Sequence, residues 1–238
     1  MCHCISSPLI LDSRVPGNVP TSRSILSKSK FDEIRLRETI LIWGKSNYRA
    51  YPWRTIENPW LALLAEMFLQ RTNANHVNRH FAEICAEFPT PKSVLEKKPE
   101  EIEQIVHKFG MRRRLRTIVE LAEFIESKDI YPTELEELKS IYGIGHYTAS
   151  AYLSLHMNRR AVIVDANVAR WLARLTGNEK PVDVRRCQWV WDLAEHLTPK
   201  RRFKDYNYAV LDFTMVICLP RKPKCAQCPF ERICRYAT

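Results

Sequence analysis

From residue 31 onward, apolar side chains recur at the spacing of an α-helix with hardly a break. The chain also lacks the long alternating Val/Ile/Thr runs that a half-buried sheet requires. Ile34, Ile40, Leu41 and Trp43 mark a first helix, and residues 59–72 carry a second, strongly apolar one (WLALLAEMFLQRT). The same periodicity predicts helices over about 74–88, 100–107, 112–127, 133–141, 146–157, 165–175, 187–197 and 205–216. The six glycines fall mostly at junctions, so the fold class is all-α. Residues 1–30, rich in Ser and Pro without apolar periodicity, read as a flexible N-terminal arm. Both ends of such a helical chain can build one lobe. Residues 31–54 with 160–238 are therefore expected to form one lobe, and residues 55–159 a central barrel-like lobe.

The chain has 37 Lys and Arg against 27 Asp and Glu, a net charge of +10. Such an excess suits a polyanionic partner, because each neutralised phosphate releases counterions, though a merely soluble basic protein fits it equally. No run is long and apolar enough to span a bilayer. The first 30 residues show no signal-peptide core, so a cytoplasmic, nucleoid-associated protein without membrane contact is expected. Four of the eight cysteines crowd into the last 21 residues, as Cys218-x6-Cys225-x2-Cys228-x5-Cys234. In a chain with no secretion signal this cluster reads as metal binding before disulfides, and four thiolates suit zinc or an iron–sulfur cluster alike.

Two further motifs carry chemistry. Leu138 to Ala151 reads helix, tight hairpin with Gly143 and Gly145, then a second helix starting near His146. Glycine lets a phosphate approach the main chain, and the amides of the new helix's first turn make an anion site. A simple interhelical turn is the plainer reading. Some twenty residues on, Val162-Ile-Val-Asp165-Ala-Asn-Val ends an apolar stretch on an acid before a helix, which alone reads as an N-cap.

Hairpin, Asp165 and cysteine spacing together resemble the helix-hairpin-helix, Gly/Pro-rich loop, Asp superfamily of DNA glycosylases, which includes endonuclease III and the adenine glycosylase MutY. The resemblance runs from about residue 31 to the end and implies a two-lobed helix-hairpin-helix glycosylase fold with an iron–sulfur cluster loop. It implies a 4Fe–4S cluster on Cys218, Cys225, Cys228 and Cys234, a monovalent cation at the hairpin, and a monomer acting on double-stranded DNA with a mismatched base. Two residues after the second hairpin glycine, bifunctional members carry the Lys that forms a Schiff base with the sugar, and MutY proteins usually carry Ser. Here that residue is Tyr147, and a phenol cannot form an imine.

Within the superfamily the chain is most similar to archaeal thymine-DNA mismatch glycosylases. The shared strings are Pro-Trp-Arg at 52–54, Glu-x-x-Leu-x-Arg-Thr at 66–72, Tyr-Thr at 147–148, Val-Asp-Ala-Asn at 164–167 and Pro-Arg-Lys-Pro-Lys-Cys at 220–225. That likeness implies removal of thymine or uracil opposite guanine. The alternatives are adenine removal opposite guanine or 8-oxoguanine and, more remotely, a non-catalytic iron–sulfur DNA-binding module. MutY proteins normally add a C-terminal domain, whereas four residues follow Cys234 here.

Periodicity leaves Glu66 either at a solvent edge or in a pocket, and the resemblance implies the pocket, with Glu66 assisting the departing base. Asp165 would stabilise the sugar cation, and Tyr147 would hydrogen-bond the base. Gln70 and Met111 match the wedge positions that fill the gap left by an extruded nucleotide. The basic run of Arg112, Arg113, Arg114 and Arg116 would follow the phosphates together with the Gly143 and Gly145 amides. Trp53 reads as core or as pocket wall.

Overall fold

A computed structural model describes residues 32–109, 113–128 and 130–237, and every regular element among them is helical. In chain order these are α1 (Glu33–Ser46), a 3₁₀ turn (Pro52–Arg54), α2 (Pro59–Leu69), α3 (Ala74–Glu87), α4 (Pro91–Leu95), α5 (Pro99–His107), α6 (Arg113–Lys128), α7 (Leu135–Ser140), α8 (His146–Leu155), α9 (Ala166–Thr176), a 3₁₀ turn (Val184–Arg186), α10 (Gln188–Leu197) and α11 (Phe203–Val216). Two more 3₁₀ turns, Cys225–Gln227 and Glu231–Ile233, follow in the cysteine loop. The N-terminal arm with Cys2 and Cys4, and Gly110, Met111 and Arg112, lie outside the described residues.

Local chemistry sets the helix ends. Asp32 Oδ1 accepts from the Ile34 and Arg35 amides, and Asn58 Oδ1 from those of Trp60 and Leu61, with Pro59 at the first helical position. The expected helix over 59–72 is shorter in the structure. Gln70 leaves the helix at ψ 116° and Arg71 turns left-handed at φ 54°, so the last three residues form a loop. The short α4 went unforeseen because five residues carry no readable periodicity; Thr90 and Ser93 close it with a reciprocal capping box.

Side chains bury into two hydrophobic cores. One gathers α1, α9, α10 and α11 around Trp171, Phe213 and Phe230. The other gathers the residues from Tyr51 through α2 to the hairpin around Trp60, Phe68 and Phe88. α8 belongs to both, with Ala149, Tyr152 and Leu153 in the second core and Ala151 and Leu155, with half-buried Tyr147, against the first. Positions three and four apart share a helix face, so these two sets occupy opposite sides of one helix. Two polar ties reinforce the junction. Asn207 Nδ2 on α11 donates to Ser154 Oγ on α8 at 2.7 Å. The Arg54 guanidinium, from the turn before α2, meets Asp212 of α11 in a bidentate pair at 2.8 and 2.7 Å.

Candidate active site

A cleft of about 620 Å³ opens where the two cores meet, with Glu66, Tyr147 and Asp165 in its walls. Each comes from a different element. Glu66 projects from the buried face of α2, Tyr147 sits in the first turn of α8, and Asp165 is the N-cap of α9.

Glu66 is 2% exposed, which excludes the solvent-edge reading. Its Oε1 lies 2.9 Å from Nε2 of His156, whose side chain is equally buried. The Tyr147 phenol is held well above its usual pKa, first by burial and then by the negative charges of Asp165 and Glu66. It therefore stays neutral and keeps a proton to donate. Asp165 combines both readings of its motif. Oδ1 accepts from the Asn167 and Val168 amides at 2.8 and 2.7 Å and Oδ2 from Asn167 Nδ2 at 2.7 Å, while the residue borders the cleft. Capping aims the carboxylate, because three donors fix its plane at the positive end of a helix.

Trp53 likewise serves as both core and cleft wall, at 3% exposed. Beside it Arg54 lies over the rings of Tyr208 and Tyr48, at 4.4 and 5.0 Å from their centroids. Burial alone would lower the Arg54 pKa, but the Asp212 hydrogen bond and charge more than reverse this. The Tyr208 phenol is pushed far up by burial and then by Glu66. Sequence reasoning passed over His156, Tyr208 and Asp212, and only Arg54, within a recognised string, carried any signal.

In the hairpin, Gly143 takes φ +80°, and a β-carbon there would collide with the Thr117 side chain. Gly145 has an ordinary φ of −89° and open space around it, so its value is approach to the backbone rather than a special dihedral. Gln70 borders the same cleft, and its Nε2 donates to Gly143 O and Thr148 Oγ1, both at 3.0 Å. Arg113 opens α6.

The next residue in the basic run departs from expectation. Arg114 is 3% exposed and faces inward, donating to Phe109 O, Gln70 O and Thr72 Oγ1. Burial draws its pKa down to about 10, so it remains a cation at neutral pH. It braces the loop after α2 against the loop after α5 and is not available to phosphate. Arg116 is exposed, paired with Glu120 at 2.6 Å and stacked over the hairpin's Tyr142.

No disulfide joins the described cysteines. Cys218 is buried and Cys225, Cys228 and Cys234 are half-buried. Burial pushes the Cys228 thiol up to about 11, with smaller upward pushes from Cys234, Cys218 and Cys225. Among the described residues, no three His, Cys, Asp or Glu side chains converge tightly enough to hold a single metal ion. Arg170 and Arg174 of α9 anchor this loop by donating to the carbonyls of Cys218 and Leu219. Tyr236 N returns the chain to Arg174 O at 3.1 Å.

The model of the HhH-GPD superfamily of base excision DNA repair proteins matches residues 64–191. A thymine/uracil-DNA glycosylase of Methanothermobacter thermautotrophicus is 30% identical over 83% of this chain and 91% of its own length. A thymine-DNA glycosylase of Aeropyrum pernix is 31% identical over 89% and 97%. The adenine DNA glycosylase of Homo sapiens is 28% identical over 99% of this chain and 46% of its own length. Among solved structures, a thermostable thymine-DNA glycosylase aligns with a TM-score of 0.80 at 29% identity, over 86% of this chain and 96% of that one. An endonuclease III bound to DNA shares the fold, with a TM-score of 0.74 at 22% identity. The chain belongs to the HhH-GPD superfamily of base excision DNA repair proteins.

The Arg114 brace makes a prediction. Arg114→Met keeps the bulk of the side chain but strands its buried acceptors, each worth on the order of 1–3 kcal/mol. Urea unfolding should show a loss of at least about 2 kcal/mol. Arg116→Met, at an exposed pair, should leave the urea midpoint close to that of wild type. Equal stability of the two variants would contradict the brace.

Proposed function

We propose that this chain is a monofunctional DNA glycosylase that hydrolyses the N-glycosidic bond of thymine or uracil mispaired with guanine in double-stranded DNA, acting as a monomer. The observation that carries the reading is the convergence of two carboxylates and a neutral phenol on one cleft large enough for an extruded nucleotide. As the glycosidic bond breaks, its electron pair goes to the base and positive charge develops at the anomeric carbon. The Asp165 carboxylate, fixed by its capping bonds, stabilises that charge. Glu66 passes a proton to the departing base, and the Tyr147 hydroxyl donates a hydrogen bond to it. Water supplies the hydroxyl that joins the sugar, and its second proton returns to Glu66. A phenol at position 147 offers no amine for a Schiff base, so strand cleavage belongs to a later step.

The four cysteines suit a 4Fe–4S cluster by donor type, and Cys218, Cys225, Cys228 and Cys234 would hold it. Bound there, the cluster would supply structure to the loop that Arg170 and Arg174 hold against α9, since hydrolysis of a glycosidic bond needs no electron transfer. Adenine excision is the second reading, favoured by the similarity to adenine glycosylases over nearly the whole chain.

Single-turnover excision and binding to a T·G duplex, measured together, test the roles. Asp165→Asn should lose on the order of 10²–10³ in rate, the usual effect of removing one electrostatic stabiliser, and Glu66→Gln should also be slow. Both should bind the duplex within a few-fold of wild type. Wild-type excision by either variant would remove that residue from the chemistry, and joint loss of folding, binding and activity would make it structural. Elemental analysis of protein purified without oxygen should find about four irons per chain. One zinc and no iron would contradict the cluster.

A further inference from the structure

The pairing of Glu66 with His156 is not explained by anything derived so far. His156 caps the C-terminal end of α8, its amide donating to Tyr152 O at 3.0 Å, and its ring lies against Tyr152 with centroids 6.3 Å apart. Both side chains of the pair are 3% exposed and meet at 2.9 Å. Burying an imidazole against a carboxylate is costly unless the contact is used, and packing alone would be served as well by an apolar residue. Other groups face the pair from each surrounding element: Tyr147 with Asp165 beyond it, Tyr208 with Arg54 and Asp212 beyond it, and Tyr152 with Tyr131 beyond it. Burial holds the three adjacent phenols neutral.

We propose that His156 is the positioning residue for Glu66, with its Nε2–H donating to Oε1 so that the acidic proton resides on Oε2 toward the cleft. This rests on Glu66 acting as the acid toward the base. When the glycosidic bond breaks, the Oε2 proton moves to the base and Oε1 becomes part of a carboxylate. The Nε2–H bond then turns charge-assisted and strengthens. His156 thus stabilises the state after proton transfer more than the state before it, which speeds the step. Water's proton reloads Oε2.

A hydrogen bond to the charged form favours that form, so removing it makes Glu66 hold its proton to higher pH and release it less readily. The test is a single-turnover pH–rate profile on T·G and on 5-fluorouracil·G duplexes. It compares wild type, His156→Leu and His156→Gln, whose amide N–H can replace the donor. For T·G, His156→Leu should lower the plateau about tenfold or more and move the alkaline fall-off up by about one pH unit. The drop should be smaller for 5-fluorouracil, a better leaving group that needs less proton assistance. His156→Gln should recover plateau and fall-off towards wild type, and His156→Ala, which also lacks the donor, is read in place of His156→Leu if that variant does not fold. A merely structural histidine would lower the rate without moving the fall-off upward, and that outcome overturns the proposal. So does a His156→Leu profile superposable with that of wild type. A wild-type protein inactive on both duplexes overturns the parent reading instead.

Discussion

A helix that must bury two opposite faces in two different cores cannot rotate about its own axis. That constraint on α8 organises the rest of the molecule. Ala149, Tyr152 and Leu153 lock one side and Ala151 and Leu155 the other, so Tyr147 in its first turn has a fixed bearing relative to both cores. α2 packs on α8 and brings Glu66 in from the second core, while the apolar strand of chain at Ile163 and Val164 delivers Asp165 from the first. The cleft is the seam between two cores, and its chemistry sits where side chains from both can reach. Clefts between rigidly packed elements are where catalytic groups are most easily held in place.

The seam is also where most of the buried charge lies. Arg54 and Asp212 neutralise one another within hydrogen-bonding distance, framed by Tyr48, Tyr51 and Tyr208, so the pair ties the turn before α2 to α11 without leaving a bare charge. Glu66 and Asp165 differ in surroundings. The first is sealed against an imidazole, whereas the second is half-exposed and saturated by donors on one side. Two carboxylates in unlike environments can divide acid work from electrostatic work. The Tyr147 phenol between them is kept neutral by the same burial and charges, which makes it a donor.

Much of this was legible from local sequence, because the relevant signals are local. Helical periodicity, the Gly143 turn, the Asp165 cap and the cysteine spacing each depend on residues close together in the chain. The resemblance to a known superfamily then drew Glu66, Tyr147 and Asp165 together. What escaped depends on contacts between distant positions. His156 meets Glu66 across 90 residues and Asp212 meets Arg54 across 158, and no spacing rule reaches so far. Arg114 was misread for a related reason. In the sequence it is one of several consecutive basic residues, and only the carbonyls of Phe109 and Gln70 folded over it distinguish it from a solvated cation. Gln70 reads as helical until the left-handed Arg71 shows that the helix has already ended.

The central claim is that this cleft releases a mispaired pyrimidine by hydrolysis and leaves the backbone intact. The most direct measurement is single-turnover incubation of the wild-type protein with duplexes containing T·G, U·G, A·G and adenine opposite 8-oxoguanine. The released base is identified by chromatography, and the strands are run with and without alkali. Free thymine and uracil from the first two duplexes, with strand breaks that appear only after alkali, is the result predicted. Adenine release with the T·G and U·G duplexes untouched, or strand breaks formed without alkali, would contradict it.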